Sequence, residues 1–235
     1  MGALDGKLAL VTGASRGIGA ATARALAARG AHVVVTARTV AGLEEVEQAI
    51  FDAGGSATIA PLDLTQSDAI AKLAAAVGGR WRALDVMVLN AATLGSLSAL
   101  PAIDPKEFAQ VLTLNVSAQA AMLAAFDPLL RQSEDARVIG ITSSVAREPR
   151  AYWGAYGASK AAFENLLGSY GDEVAGMGRV RTMILDPGAT RTKMRERAFP
   201  GEDPLSVKDP AVVAERIADL AVEGFDQGHF ERVNA

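Results

Sequence analysis

Short apolar runs alternate along the chain with longer segments of helical spacing. The runs fall at residues 8–11, 32–36, 57–60, 84–89, 137–141 and 180–185. They are rich in Val, Ile and Leu and lack polar alternation, which predicts strands covered on both faces of a parallel sheet. Helices are expected between them. Residues 20–29 are alanine-rich and stop at Gly30, a C-cap signal. Leu43, Val46 and Ile50 fall on one helical face. Residues 69–77 end at Gly78-Gly79, and 108–130 make a long candidate in which Pro128 predicts a kink or an early end. Two more helices are expected at 155–174 and 211–222. Strand, helix, strand, repeated, predicts an α/β architecture: a doubly wound parallel sheet with helices on both faces. With 235 residues and no linker, repeat or low-complexity tract, the chain reads as one domain, 1–235.

Sheets of this kind bind ligands beyond the carboxyl ends of their strands. There, at the end of the first run, stands TGASRGIG, residues 12–19. Gly13, Gly17 and Gly19 sit where strand turns into helix. Glycine lets a ligand approach the backbone, and the first turn of a helix favours phosphate. The spacing is Gly-x-x-x-Gly-x-Gly, not the Gly-x-Gly-x-x-Gly of the usual dinucleotide fingerprint. Glycine spacing therefore points to an anionic nucleotide without naming it.

Composition removes several alternatives. Lys plus Arg is 23 and Asp plus Glu is 27, so the formal net charge is −4, and neither nucleic acid nor an anionic membrane is the expected partner. There is no Cys, hence no disulfide framework and no thiolate chemistry. The two His, His32 and His229, lie far apart in sequence, so no metal is expected. MGALDGKLALVTG lacks a basic region followed by a long apolar stretch, so no signal peptide is expected. No run approaches the roughly 18 apolar residues of a membrane span. A cytoplasmic protein is the expectation.

A second constellation lies in ITSSVAREPRAYWGAYGASKAAFENL, residues 141–166. Tyr156 and Lys160 are four apart at the start of a helical pattern, which puts a phenol and an ammonium on one face. A nearby cation favours the phenolate, so the spacing predicts a Tyr pKa below its ordinary value of about 10. A Tyr tuned that way can exchange a proton near neutral pH. Ser143 and Ser144 follow a strand at the same end of the sheet, and either hydroxyl could bond a carbonyl oxygen.

Taken together, these residues resemble the short-chain dehydrogenase/reductase family, NAD(P)-dependent enzymes with a Rossmann-type fold, over residues 5–194. TGASRGIG resembles the family's cofactor turn, which implies contacts from Gly13, Ser15, Arg16, Gly17, Ile18 and Gly19. PLDL, residues 61–64, is similar to its adenine-contacting segment, implying Asp63 and Leu64. LNAA, residues 89–92, stands where the family usually has Asn-Asn-Ala-Gly: Asn90 matches, while Leu89 and Ala92 depart. Asn115 in LNVSA matches the active-site Asn, which would position a water linking Lys160 to bulk protons. Ser143 stands at the family's usual interval before Tyr156, in preference to Ser144. DPGATRT, residues 186–192, resembles the turn that holds the nicotinamide amide, implying Pro187, Gly188 and Thr192. Ser143, Tyr156, Lys160 and Asn115 are thus implied as the catalytic set. RAYWGAYGASK and PGATRTKMRERAFPGEDP are also similar to a bacterial branch of oxidoreductases without an assigned substrate. The terminal HFERVNA departs from the Gly-rich strand that many members carry there.

Charge at the end of the second strand selects the cofactor. An acidic residue there suits NAD; Arg accommodates the 2′-phosphate of NADP. In VVVTARTV the position in question is Ala37, followed by Arg38, and Arg16 can reach the same phosphate. Two cations and no carboxylate predict NADP(H) in preference to NAD(H). The implied activity is hydride transfer between the nicotinamide and a small-molecule carbonyl or alcohol. A 3-oxoacyl-thioester reductase and a non-catalytic NADP-binding regulatory protein are the alternatives. A homodimer or homotetramer is implied, because the family pairs helices corresponding to 108–130 and 155–174 across a two-fold axis, and both are rich in small residues here. Residues 190–210 are expected to form an irregular substrate lid. Within it RTKMRER, residues 191–197, reads as a solvated charged turn, the alternative being that it brings Arg195 and Arg197 toward cofactor phosphates or an anionic substrate.

Overall fold

The computed structural model describes residues 2–66 and 68–234. Seven strands form one parallel sheet in the order β3-β2-β1-β4-β5-β6-β7: β1 Leu8–Thr12, β2 His32–Ala37, β3 Ser56–Pro61, β4 Val86–Leu89, β5 Ala136–Ile141, β6 Val180–Asp186 and β7 His229–Arg232. All six strand pairings are parallel. The order reverses between β1 and β4, and that crevice opens at the carboxyl ends of both strands, where ligands bind in such sheets.

Continuous apolar strands are explained by what covers them. Ala9 and Val11 of β1 enter one core with α1 (Gly17–Ala28), α2 (Val40–Asp52) and α8 (Pro210–Glu223), through Leu26, Leu43 and Ile217. Leu8 and Leu10 enter the opposite core with α3 (Ala69–Gly78), α5 (Ala118–Leu130) and α6 (Gly154–Ala175), through Leu73, Phe126 and Phe163. Alternate side chains of a strand point to opposite faces, so both faces of a strand between two helical layers favour apolar residues. The predicted doubly wound α/β fold is the one observed.

Two differences from the sequence expectation bear on the site. The helix expected at 108–130 starts earlier, at Pro105 of α4 (Pro105–Leu112), where Asp104 accepts a bond from the Lys106 N–H at 2.8 Å and Pro105 takes the first helical position. It is then interrupted by a π turn, Thr113–Ser117, before α5. Pro128 does not end α5, which runs on to Leu130. By length and composition the whole rod Pro105–Leu130 is apolar enough to cross a membrane; here it lies along the sheet with Met122, Phe126 and Leu130 in the core. Secondly, residues 190–210, expected to be irregular, hold a short helix, α7 (Lys193–Ala198), and a 3-10 turn, Pro204–Ser206.

Candidate active site

The crevice deepens into a cleft of about 810 Å³ running from the β1–α1 turn, past the ends of β2 and β3, to α6 and α7. That size lies within the usual range for ligand pockets. Gly13 and Gly17 take left-handed backbone, φ +66° and +56°, which suits residues without a Cβ. A Cβ on Gly13 would stand 3.0 Å from the Ala91 Cα, and one on Gly17 would stand 3.3 Å from the Thr192 Cγ2. The N-cap of α1 is Arg16, whose side chain makes no capping bond, and the first turn carries no acidic residue. Anion-favouring helix amides therefore face the cleft beside Ser15, Arg16 and Ile18. Gly19 departs from its expected cofactor contact. It does not line the cleft; a Cβ there would collide with the Gly13 carbonyl and lie 2.6 Å from the Asn90 Nδ2. Its task is to let α1 approach the strand ends.

Asn90 braces the turn from β4. Its Nδ2 donates to the carbonyls of Thr12 at 2.9 Å and Gly13 at 3.3 Å, and its own N–H donates to the Thr12 Oγ1 at 3.0 Å. At the far end of the cleft stand Ala37, Arg38, Asp63 and Leu64. Asp63 accepts from the Thr65 N–H at 3.0 Å and the Thr65 hydroxyl at 2.8 Å. Those bonds, with Arg38 nearby, hold its carboxyl below the ordinary Asp value.

Tyr156 and Lys160 lie on the first turns of α6 and are 7% and 3% exposed. Lys160 Nζ donates to the Ile141 carbonyl at 2.7 Å and stands 5.9 Å from the centre of the Tyr156 ring. Burial lowers the ammonium pKa to about 8, against a smaller opposing pull from Glu164. The phenol contradicts the sequence expectation: burial, helped by the Asp186 carboxylate, pushes it above its ordinary value. With Lys160 bonded to Ile141, desolvation of the phenolate governs the direction. Ser143 follows β5 in extended backbone, and Ser144 opens the 3-10 turn Ser144–Ala146; both line the cleft.

Asn115 lies beneath the cleft rather than on its wall, inside the π turn. Its Oδ1 accepts from the Thr93 N–H at 2.8 Å, and its Nδ2 donates to the Thr93 carbonyl at 2.8 Å and the Ser159 hydroxyl at 3.0 Å. Both amide hydrogens are thus spent on protein, so the side chain braces the site instead of offering a hydrogen to water. Ser159 passes the brace on by donating to the Tyr156 carbonyl at 2.7 Å. Sequence reasoning missed Ser159; the only signal was a hydroxyl between Tyr156 and Lys160.

Pro187, Gly188 and Thr192 line the cleft. Asp186, also missed, is a buried carboxylate in the cleft wall, accepting from the Gly188 N–H at 2.9 Å and lying 3.5 Å from the Arg232 guanidinium. Thr192 caps α7, its hydroxyl accepting from the Arg195 N–H at 3.1 Å. Two cations of the 191–197 segment are already committed: Arg195 pairs with Glu202 at 2.6 Å, and Arg191 pairs with Asp209. The alternative that Arg195 serves a ligand phosphate is therefore corrected.

Comparison with known proteins places this geometry. Residues 7–203 match the family model for short chain dehydrogenases. The chain is similar to the uncharacterized oxidoreductase YciK of Escherichia coli, with 36% identity over 211 residues, covering 88% of this chain and 83% of that protein. It superposes on a short chain dehydrogenase from Salmonella enterica with a TM-score of 0.93 at 32% identity, covering 99% and 98% of the two chains. A metagenomic short-chain oxidoreductase crystallised in complex with NADP superposes with a TM-score of 0.84 at 34% identity, covering 99% of each chain. With the glycine turn, the cleft and the family model in agreement along most of its length, the chain belongs to the short-chain dehydrogenase family of oxidoreductases.

Proposed function

We propose that this oxidoreductase works with NADP(H), in preference to NAD(H), on a small carbonyl or alcohol substrate, with Ser143, Tyr156, Lys160 and Asn115 as its working set. The observation that carries the reading is one continuous cleft with a glycine turn and helix amides midway, Arg16 and Arg38 on its rim, and the buried Tyr156–Lys160 pair at the other end. The fit to the cofactor rests on the chain's own atoms: the space at Gly13 and Gly17 that a Cβ would fill, and two guanidiniums with no carboxylate at the end of β2. Gly13, Ser15, Arg16, Gly17 and Ile18 would hold phosphates, Arg38 the 2′-phosphate, Asp63 and Leu64 the adenine, and Pro187, Gly188 and Thr192 the nicotinamide amide. When bound, the nicotinamide supplies the hydride for reduction or takes it in oxidation.

In reduction, a substrate carbonyl oxygen is oriented by the Ser143 hydroxyl and receives the Tyr156 proton. The raised phenol pKa keeps that proton in place at neutral pH. The Lys160 cation stabilises the phenolate left behind until solvent returns a proton. Asn115 acts through others, fixing Thr93 and, by way of Ser159, the backbone of Tyr156. Titration with NADPH and NADH, followed by turnover of aldehydes, ketones and acyl thioesters, tests the reading. Tighter NADPH binding and carbonyl-dependent NADPH oxidation are expected. Equal affinities reject the cofactor preference; binding without turnover of any substrate favours a regulatory protein.

The same reading includes a dimer. Ser117, Ala121 and Ala124 on the rod Pro105–Leu130, and Ala158, Ala161 and Gly168 on α6, form exposed stripes of small residues on two adjoining helices. Such stripes permit close helix pairing across a two-fold axis.

A further inference from the structure

From the substrate end of the cleft we infer, on the basis of the oxidoreductase reading above, that the preferred carbonyl substrate carries a carboxylate at the far side of an apolar segment. The carboxylate is received by Arg150 and Arg197.

Apolar surface surrounds the reactive phenol. Leu94, Val145 and Tyr156 form a small buried cluster against which Trp153, Met194 and Ala198 pack. Trp153 meets the Tyr156 ring edge-on at 6.1 Å and the Phe199 ring at 5.7 Å, which ties the lid to the opposite wall. On α7, Met194, Arg197 and Ala198 are related by i, i+3 and i+4, so they share one face. Met194 and Ala198 pack toward Tyr156; Arg197 is carried on the same face and lines the cleft. Arg150 lines it from the other wall. Its carbonyl accepts from the Trp153 N–H at 3.2 Å, closing a turn in which Tyr152 takes φ +73°. A bulky side chain at positive φ is strained, and the Ser98 N–H, donating to the Tyr152 carbonyl at 3.1 Å, holds the turn.

Seven cleft cations make no ion pair among the described residues: Arg16 and Arg38, assigned above to the cofactor, Lys160 beside Tyr156, and Arg24, Arg150, Lys193 and Arg197, of which Arg150 follows the Ser144–Ala146 turn and Arg197 shares a face of α7 with Met194 and Ala198. Among the described residues the cleft has three carboxylates, Asp63, Asp186 and Asp209. Asp63 is bonded to Thr65, Asp186 to Gly188 and Arg232, and Asp209 to Arg191 and Ala211. Arg195 is held by Glu202. Arg150 and Arg197 make no ion pair among the described residues. Two exposed guanidiniums among the residues lining the cleft that also holds the apolar cluster around Tyr156, in a chain of net charge −4, match a planar carboxylate better than a neutral group.

The test is calorimetric titration of the protein saturated with NADP⁺, using 4-formylbenzoate and its methyl ester as probes. At low salt the acid should bind at least about tenfold tighter than the ester. Arg150→Gln and Arg197→Gln should each reduce that preference at least about fivefold, and added salt should erode it, as for partly exposed charges. Arg179→Gln, at the opposite end of the sheet, should leave the preference intact. Equal binding of acid and ester, or a preference that survives both cleft substitutions, overturns the inference. Preferential binding of the acid with no NADPH oxidation by any carbonyl would keep the site and defeat the oxidoreductase mechanism instead.

Discussion

Tyr156 holds a proton where water hardly reaches, and Lys160 holds a charge in the same place. Replacing Tyr156 by Phe keeps the ring that packs on Trp153 and removes only the proton. Turnover should fall by at least the order of 10²-fold while NADPH still binds; an unchanged rate would reject the phenol as the acid. Lys160 leaves a signature in stability. Its folded pKa is about 8 against 10.5 for an ordinary Lys, so between those values the unfolded chain binds the extra proton and stability rises with pH. From pH 7.5 to pH 10 the protein should gain on the order of 1–3 kcal/mol relative to Lys160→Met, read from urea midpoints. A constant difference across that range would mean the ammonium is not desolvated. At this scale the sequence was most legible where chemistry follows helical spacing, as with Tyr156 and Lys160. It was least legible where a role arises only from tertiary contact. Ser159 becomes a brace only when Asn115 arrives from another helix, and Gly19 a packing residue only when Asn90 is placed above it. The phenol's pKa direction was misread for the same reason: spacing reports the neighbouring cation but neither the burial that penalises the phenolate nor the Asp186 carboxylate beside it.

At the scale of elements, six strands and most helices were legible because the chain alternates between two clear patterns. β7 was not, since HFER is half-exposed and pairs with β6 alone, so no core demands a continuous apolar run. The π turn was invisible because the partner of its Asn115 is distant in sequence: the N–H and carbonyl of Thr93 both bind that side chain. Asn115→Ala should leave those backbone groups without partners and cost about 2 kcal/mol, within the range for buried polar groups stripped of a bond. It should also lower kcat more than it raises the NADPH Kd, because the brace leads to Tyr156 and not to the glycine turn. Equal stability of the variant and the parent by thermal unfolding would show that the turn stands without its side chain.

Across the whole molecule, the two layers of helices differ in what they leave uncovered. On the layer holding α5 and α6, the small-residue stripes meet solvent, and nothing lies within 4 Å of where a Cβ on Gly168 would stand. Gly168→Trp should therefore fold as the parent does but fail to pair, giving a monomer in light scattering at micromolar concentration, where the parent should be at least a dimer. A parent that is itself monomeric would remove the dimer from the reading. Composition pointed to an acidic protein, whereas the cleft is basic; the charge of the whole conceals the charge of the site, because loops after β2, β5 and β6 converge only in the fold.

The π turn also has a meaning for heredity. Such a turn amounts to one residue more than an α-helix requires, so losing one codon among 113–117 would restore a regular ladder of hydrogen bonds. α4, in which Val111 is the one buried residue, could swing by about 100°, the angle per residue of an α-helix, at small cost to the core. The shortened chain should still fold and accumulate, but melt below the parent by the same loss of about 2 kcal/mol expected for Asn115→Ala, and turn over poorly because Thr93 has lost its clamp. A lesion of that kind escapes any screen that counts protein, and is seen only by one that counts product.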